Sequence, residues 1–177
     1  MMVQVELPTP AHTQAWGRAL AGVLRPGDLV VLTGQLGAGK TTLVQGLASA
    51  LGVAGRVASP TFIMARQHRP LADGPWLIHA DAYRLESLDE LDTLDLDASL
   101  DQAITVVEWG QGVVEALATD RLEVHLERSR GAANGAASIA GASDVAPSGT
   151  PEAFEVRTGQ ARGVGERWAG IVLPGLV

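Results

Sequence analysis

Cysteine is missing altogether from the 177 residues, which removes disulfides, thiol nucleophiles and cysteine-ligated zinc or iron–sulfur centres from the functions open to the chain. Lysine is nearly missing: twelve of the thirteen Lys and Arg residues are arginine, and the single lysine is Lys40. Asparagine occurs once, as Asn134 before Gly135, so the Asn-Lys-x-Asp signature by which GTPases read guanine cannot be built. No apolar run approaches the length of a membrane span, and Met1-Met2-Val3-Gln4-Val5-Glu6 lacks the basic region and apolar core of a secretory leader. The expected location is the cytoplasm, with no membrane partner. Positive charge is short as well: the formal net charge of −7 argues against a broad basic surface tracking a nucleic-acid backbone. Any contact with RNA is expected to run through a protein partner. No internal repeat is visible.

What the chain does contain is Gly34-Gln35-Leu36-Gly37-Ala38-Gly39-Lys40-Thr41, the G-x-x-x-x-G-K-[ST] pattern of a phosphate-binding P-loop. Such a loop works between a strand and a helix. Its glycines let backbone N–H groups curl around phosphate oxygens, and the helix N-terminus adds its positive dipole end. Both flanks are readable. Residues 28–33 form the short β-branched apolar run of a buried parallel strand, and residues 41–51 carry apolar side chains at 43, 44, 47, 50 and 51 before Gly52 stops the helix. Lys40 is the natural partner of the β- and γ-phosphates of ATP, and Thr41 would place its hydroxyl on a Mg²⁺ bridging them. A sequence that otherwise chooses arginine has a compact ammonium at the one place where a planar guanidinium fits badly.

Along the rest of the chain, residues 3–7 alternate like an edge strand ended by Pro8. Thr9 and Pro10 then open a helix whose apolar face carries Trp16, Leu20, Val23 and Leu24. Trp16 reads as core, and the turn at residues 9–12 is placed to line a nucleobase pocket. Ser59-Pro60-Thr61-Phe62 follows the P-loop helix; Ser59, Pro60 and Thr61 are either a switch-like loop sensing the γ-phosphate or a proline-fixed loop with a hydroxyl cap. Ile63-Met64-Ala65 starts a strand, and residues 68–75 are turn-rich. Residues 76–80 form a strand delivering Asp81, and residues 104–107 form another delivering Glu108; both carboxylates are expected to converge on the crevice where the P-loop lies. His79 and Asp81 share a side by alternation, but two ligands are too few for an independent transition-metal site. Arg84 is either a surface ion-pair partner or a phosphate-positioning group. Residues 87–100 open with a capping box, Ser87 with Glu90. The seven acidic residues from Glu86 to Asp101 make either a solvated helix face or a dock for a basic partner. A short helix at 113–117, a strand at 121–126, a returning strand at 154–157 and a terminal element from Trp168 packing back on the sheet complete the reading. Residues 129–150, an Ala, Gly and Ser run without periodicity, read as a flexible hairpin loop.

The pattern is an α/β, P-loop NTPase-like fold: a mostly parallel central sheet flanked by helices, with an antiparallel hairpin near the C-terminus, in one domain over residues 1–177. With the P-loop, Ser59-Pro60-Thr61-Phe62, His79-Ala80-Asp81-Ala82-Tyr83-Arg84-Leu85 and Val107-Glu108-Trp109 in order, the chain closely resembles the bacterial TsaE family, formerly YjeE. The resemblance runs from about residue 3 to residue 126. It implies a Mg²⁺-dependent ATPase of tRNA threonylcarbamoyladenosine (t6A) biosynthesis. Such an ATPase binds a heterodimer of the threonylcarbamoyl transferase and its inactive paralogue, which modifies adenosine 37 of tRNA. Carried over by residue, it implies that Gly37, Ala38, Gly39, Lys40, Thr41 and Thr42 hold the phosphates and that Thr41 and Glu108 contact Mg²⁺. Asp81 takes a Walker-B-like role near metal or attacking water, and Trp109 packs beside the nucleotide. Lys40, Asp81 and Glu108 are thus the expected catalytic set. The family's nucleotide-contacting basic residue in the last hairpin has Arg128 and Arg130 as candidates here.

Two rival readings stay open: a small-molecule P-loop kinase, and a nucleotide-dependent assembly switch with little turnover. The first is poorly served by residues 129–150, a long insertion containing a single arginine where a kinase needs a basic lid. No arginine finger is evident near the loop in the sequence, so a partner is expected to complete the site or to order residues 59–62.

Overall fold

In the computed structural model, which describes residues 2–60, 65–82, 102–112, 118–128 and 156–176, nine main elements follow one another. They are β1 (Met2–Leu7), α1 (Pro10–Ala21), β2 (Leu29–Thr33), α2 (Lys40–Leu51), β3 (Ala65–His68), β4 (Trp76–Asp81), β5 (Ala103–Glu108), β6 (Arg121–Arg128) and β7 (Arg157–Val164), with a 3-10 turn at Glu166–Trp168. Local chemistry sets the helix ends. The Thr9 side chain accepts from the His12 N–H, and Pro10 sits in the first turn, where no N–H is needed. Helix α1 stops at Ala21, short of the apolar face that continues to Val23 and Leu24. The N–H groups of Gly22, Val23 and Leu24 bond three residues back in tightened turns, while Val23 and Leu24 still pack on the core. Helix α2 ends where expected, at Gly52 in the left-handed conformation.

All seven strands join one sheet in the order β1-β7-β6-β2-β5-β4-β3. Its middle, β6-β2-β5-β4, is parallel, and antiparallel strands close both margins, β3 against β4 and the β7–β1 pair beyond β6. The central strands carry the continuous apolar runs that two covered faces demand; every residue of β5 is buried. Helices α1 and α2 share one face, and Gly17 and Gly46 set how closely they cross. A Cβ on Gly17 would run into the Leu43 carbonyl and one on Gly46 into the Gln14 carbonyl. Beneath them lies the main core, which includes Trp16, Leu20, Leu32, Leu43, Leu47, Ile104 and Leu122. A smaller cluster of Leu29, Val31, Ile78, Ala80 and Val107 covers the opposite face.

The terminal segment does pack back on the sheet. Trp168 and Leu173 enter the core, Trp16 Nε1 donates to the Pro174 carbonyl at 2.9 Å, and the Arg167 guanidinium grips the buried Asp28 carboxylate with bonds of 3.0 and 2.9 Å. The returning strand is displaced from its expected position at 154–157: it runs over Arg157–Val164, paired with β6 from Arg128↔Arg157 to Arg121↔Val164. Its sequence hides it because side chains are excluded where tryptophans lie. A Cβ on Gly159 would meet the Trp16 ring and one on Gly163 would meet Trp168, and glycine gives no strand signal. His68, expected in a turn, closes β3. Thr61, Phe62, Ile63 and Met64, residues 83–101, the helix at 113–117, Arg130 with the 129–150 loop, and Phe154 and Glu155 lie outside the described residues. Among the described residues no helix is long and apolar enough to cross a membrane.

Candidate functional site

Three parallel strands end level with one another. Leu32 of β2 and Asp81 of β4 both lie opposite Glu108 of β5, so the chain leaves β2 for the P-loop at the carboxyl edge of the sheet, with the strand-end carboxylates of β5 and then β4 on one side of it. The loop turns through Gly34, Gly37 and Gly39 at φ 137°, 75° and 105°, conformations that a side chain makes costly. No side chain caps the N-terminus of α2. The first-turn N–H groups of this 12-residue helix are therefore left for an anion, with the positive end of the dipole behind them.

The result is a cleft of about 250 Å³ lined by Leu36, Gly37, Gly39, Lys40, Thr41, Thr42, Ser59, Asp81, Glu108 and Trp109. Most of the residues singled out in the sequence thus share one cavity. Ala38 is buried in the core with its N–H on the Gln35 carbonyl and does not line the cleft. Pro60 is buried beside Ser59.

Lys40 is 5% exposed. Its Nζ donates to the carbonyls of Gly34 at 2.8 Å and Gln35 at 3.2 Å and lies 3.8 Å from the centroid of the Trp109 ring. Burial pushes the ammonium below the ordinary lysine range, and the charges of Glu108 and then Asp81 pull it back up. Trp109 is a non-glycine residue at φ 61°, held there by an N–H bond of 2.9 Å to the Leu32 carbonyl. A backbone strained in this way next to a loop lysine is the kind of feature that marks functional sites.

Glu108, 3% exposed, accepts two hydrogen bonds on the same oxygen: Oε1 takes the Thr41 hydroxyl at 3.0 Å and His79 Nε2 at 2.9 Å. The Thr41 hydroxyl, donating its hydrogen bond to Glu108, keeps its lone pairs available to a cation. A hydroxyl and two carboxylates beside a helix N-terminus open to an anion are all-oxygen donors, of the kind that could hold Mg²⁺, an ion usually held by one or two carboxylates plus phosphates. Among the described residues no three His, Asp or Glu side chains form a cage of the kind that holds a transition metal. His79 turns to Glu108 instead of joining Asp81 as a ligand pair.

Arginine stands beside the loop: Arg128, a candidate from the resemblance, and Arg157, which the sequence reading did not single out for the site. Arg128 Nη1 lies 3.2 Å from where a Cβ on Gly37 would be. Arg157, opposite Arg128 in the β6–β7 ladder, runs its side chain along Gly39 with Nε buried and, among the described residues, without a hydrogen-bond partner. Distance in sequence concealed the part of Arg157, which was not among the candidate site residues; its signal was an arginine opening a small-residue strand. Thr13 reaches the same glycine from α1, one turn beyond the Thr9 and His12 side chains, which bond at 2.7 Å.

Residues 7–135 match the family model described as "Threonylcarbamoyl adenosine biosynthesis protein TsaE". The chain is 51% identical over 154 residues to a protein of Streptomyces coelicolor named tRNA threonylcarbamoyladenosine biosynthesis protein TsaE, an overlap covering 86% of this chain and 91% of that relative. A protein of the same name from Mycobacterium tuberculosis is 49% identical over 129 residues, covering 69% of this chain and 77% of its own. Among solved structures, the crystal structure of Bacillus subtilis YdiB superposes with a TM-score of 0.65 at 28% identity, covering 96% of this chain and 90% of that one.

Proposed function

The chain belongs to the TsaE family of threonylcarbamoyl adenosine biosynthesis proteins, and from that premise we propose that its cleft binds ATP with Mg²⁺ and hydrolyses it to ADP. Hydrolysis serves formation of t6A at position 37 of tRNA, in the cytoplasm, through a heterodimer of the threonylcarbamoyl transferase and its inactive paralogue. The observation that carries this reading is the convergence of Lys40, the uncapped N-terminus of α2, Glu108 and Asp81 on one cleft. Phosphoryl transfer needs little covalent help from a protein; it needs positioning and charge where charge develops. Lys40 meets that need with an ammonium already withdrawn from water. The backbone N–H groups of Gly37 to Thr42 orient the phosphates, and Thr41 and Glu108 hold Mg²⁺, which when bound neutralises charge on the β- and γ-phosphates. Asp81 stands at the strand end to orient the attacking water. Arg128 and Arg157 reach the loop from the hairpin side and bear on the nucleotide there.

With arginine available within the chain, the partner is expected to act at the switch-like loop that Ser59 and Pro60 open. Contact with tRNA is indirect, because a chain of net charge −7 offers no extended track for phosphates. The test is a filter-binding titration with unmodified tRNA beside an ATPase assay at increasing heterodimer concentration. Negligible RNA binding at physiological salt, with ATPase activity rising as the heterodimer is added, is expected. Tight, salt-sensitive RNA binding by the isolated chain with no response to the heterodimer would overturn the reading.

A further inference from the structure

His79 is fully buried on the face of β4 that also carries Asp81, one strand repeat deeper than the cleft. The cleft does not include it. Its single hydrogen bond runs from Nε2 to Glu108 Oε1 at 2.9 Å, and among the described residues Nδ1 has no partner. An ionised carboxylate only accepts, so the ring proton facing Glu108 is on Nε2. As core filler this is a poor choice: Leu77, two residues earlier on the same face, shows that an aliphatic side chain is accommodated there, and an imidazole with an unpartnered nitrogen is costly to bury. What His79 has that leucine lacks is the N–H aimed at Glu108. Because Thr41 and His79 both bond Oε1, together they fix the rotation of the carboxylate, and neither occupies Oε2.

We infer that His79 is a positioning residue: its Nε2–H holds the Glu108 carboxylate in the orientation that meets Mg²⁺ beside the Thr41 hydroxyl, and so sets Mg²⁺ affinity without setting nucleotide affinity. This rests on the proposed Mg²⁺–nucleotide reading of the cleft. A partner of this kind, one bond behind a metal ligand, typically changes metal affinity by about 10- to 100-fold when removed.

The experiment is calorimetric titration of the full chain with ADP in EDTA, then of Mg²⁺ into the ADP complex, with a thermal melt of each variant. His79→Leu removes the donor at similar bulk. His79→Asn keeps a polar amide but places its N–H where Nδ1 lies, out of reach of Glu108. His79→Gln returns an N–H to about the Nε2 position. The Leu and Asn variants are expected to bind ADP in EDTA as wild type does and to lose about 10- to 100-fold in Mg²⁺ affinity, with His79→Gln close to wild type. Wild-type Mg²⁺ affinity in either donor-free variant overturns the inference, as does a parallel loss of ADP affinity in EDTA. If neither donor-free variant folds, a loss of Mg²⁺ affinity in His79→Gln overturns it and retention supports it. A wild-type protein whose ADP binding ignores Mg²⁺ would instead refute the proposed function itself.

Discussion

Replacing Glu108 separates what its charge does from what its shape does. In Glu108→Gln the amide oxygen takes the place of Oε1 and still accepts from Thr41 and His79. The exchange of charged for neutral acceptor should cost no more than about 1 kcal/mol of stability. Glu108→Ala strands the His79 Nε2–H at a position with no exposure and takes the acceptor from the Thr41 hydroxyl. A buried donor left unmade costs about 1–3 kcal/mol, so with the second lost bond the total is about 2–4 kcal/mol. For a chain of this length each kcal/mol moves the melting temperature by about 2–4 °C, so Glu108→Ala should melt roughly 5–15 °C below wild type and Glu108→Gln within a few degrees of it. Both variants remove a carboxylate that holds Lys40 charged against burial, and both should need much more Mg²⁺ to support nucleotide binding. The assays are circular-dichroism melts and Mg²⁺ titrations of the ADP complex. Glu108→Gln and Glu108→Ala melting together, or Glu108→Gln keeping wild-type Mg²⁺ affinity, would refute the reasoning.

Asp81→Asn should leave nucleotide binding intact and lower single-turnover hydrolysis by about 10-fold or more, whereas a loss confined to binding would move Asp81 out of the chemical step. Burial alone raises the Glu123 carboxyl, but the hydrogen bonds and charges of Arg162 and Arg121 outweigh it and hold its pKa below the ordinary 4.5. Its contribution to stability is therefore present above that value and lost as pH falls through the lowered one. Glu123→Gln should lower the melting temperature at neutral pH and flatten its decline below pH 4.5, which a melt series across that range would check.

The P-loop and its flanks were legible because everything they need is local: three glycines, a β-branched strand before them and a helix ending at Gly52. Asp81 and Glu108 were legible for a related reason, since each closes an apolar run and strand ends collect at one edge of a parallel sheet. What stayed hidden depends on partners remote in sequence. Nothing near Gly159 announces that Trp16 fills its side-chain space, so a Gly- and Ala-bearing strand gave no strand signal. Arg157 was visible only as a strand residue, because its nearness to Gly39 exists only once β7 pairs with β6 and β6 with β2. His79 was visible as a residue beside Asp81, but its bond to Glu108 crosses from β4 to β5 and no spacing encodes it.

The central claim is that Lys40 supplies the charge that a nucleotide triphosphate meets in the cleft, and equilibrium ATP binding with steady-state hydrolysis by wild type and Lys40→Ala tests it most directly. Because burial lowers the Lys40 pKa, its charge weighs against the fold at every pH below that lowered value and is relieved as pH rises toward 10.5. Lys40→Ala also takes the donor from the Gly34 and Gln35 carbonyls, so a thermal melt establishes that the variant is folded before binding is read. A loss of about 100-fold or more in hydrolysis or ATP affinity is expected. A folded Lys40→Ala protein with unchanged ATP affinity and unchanged turnover would contradict the claim.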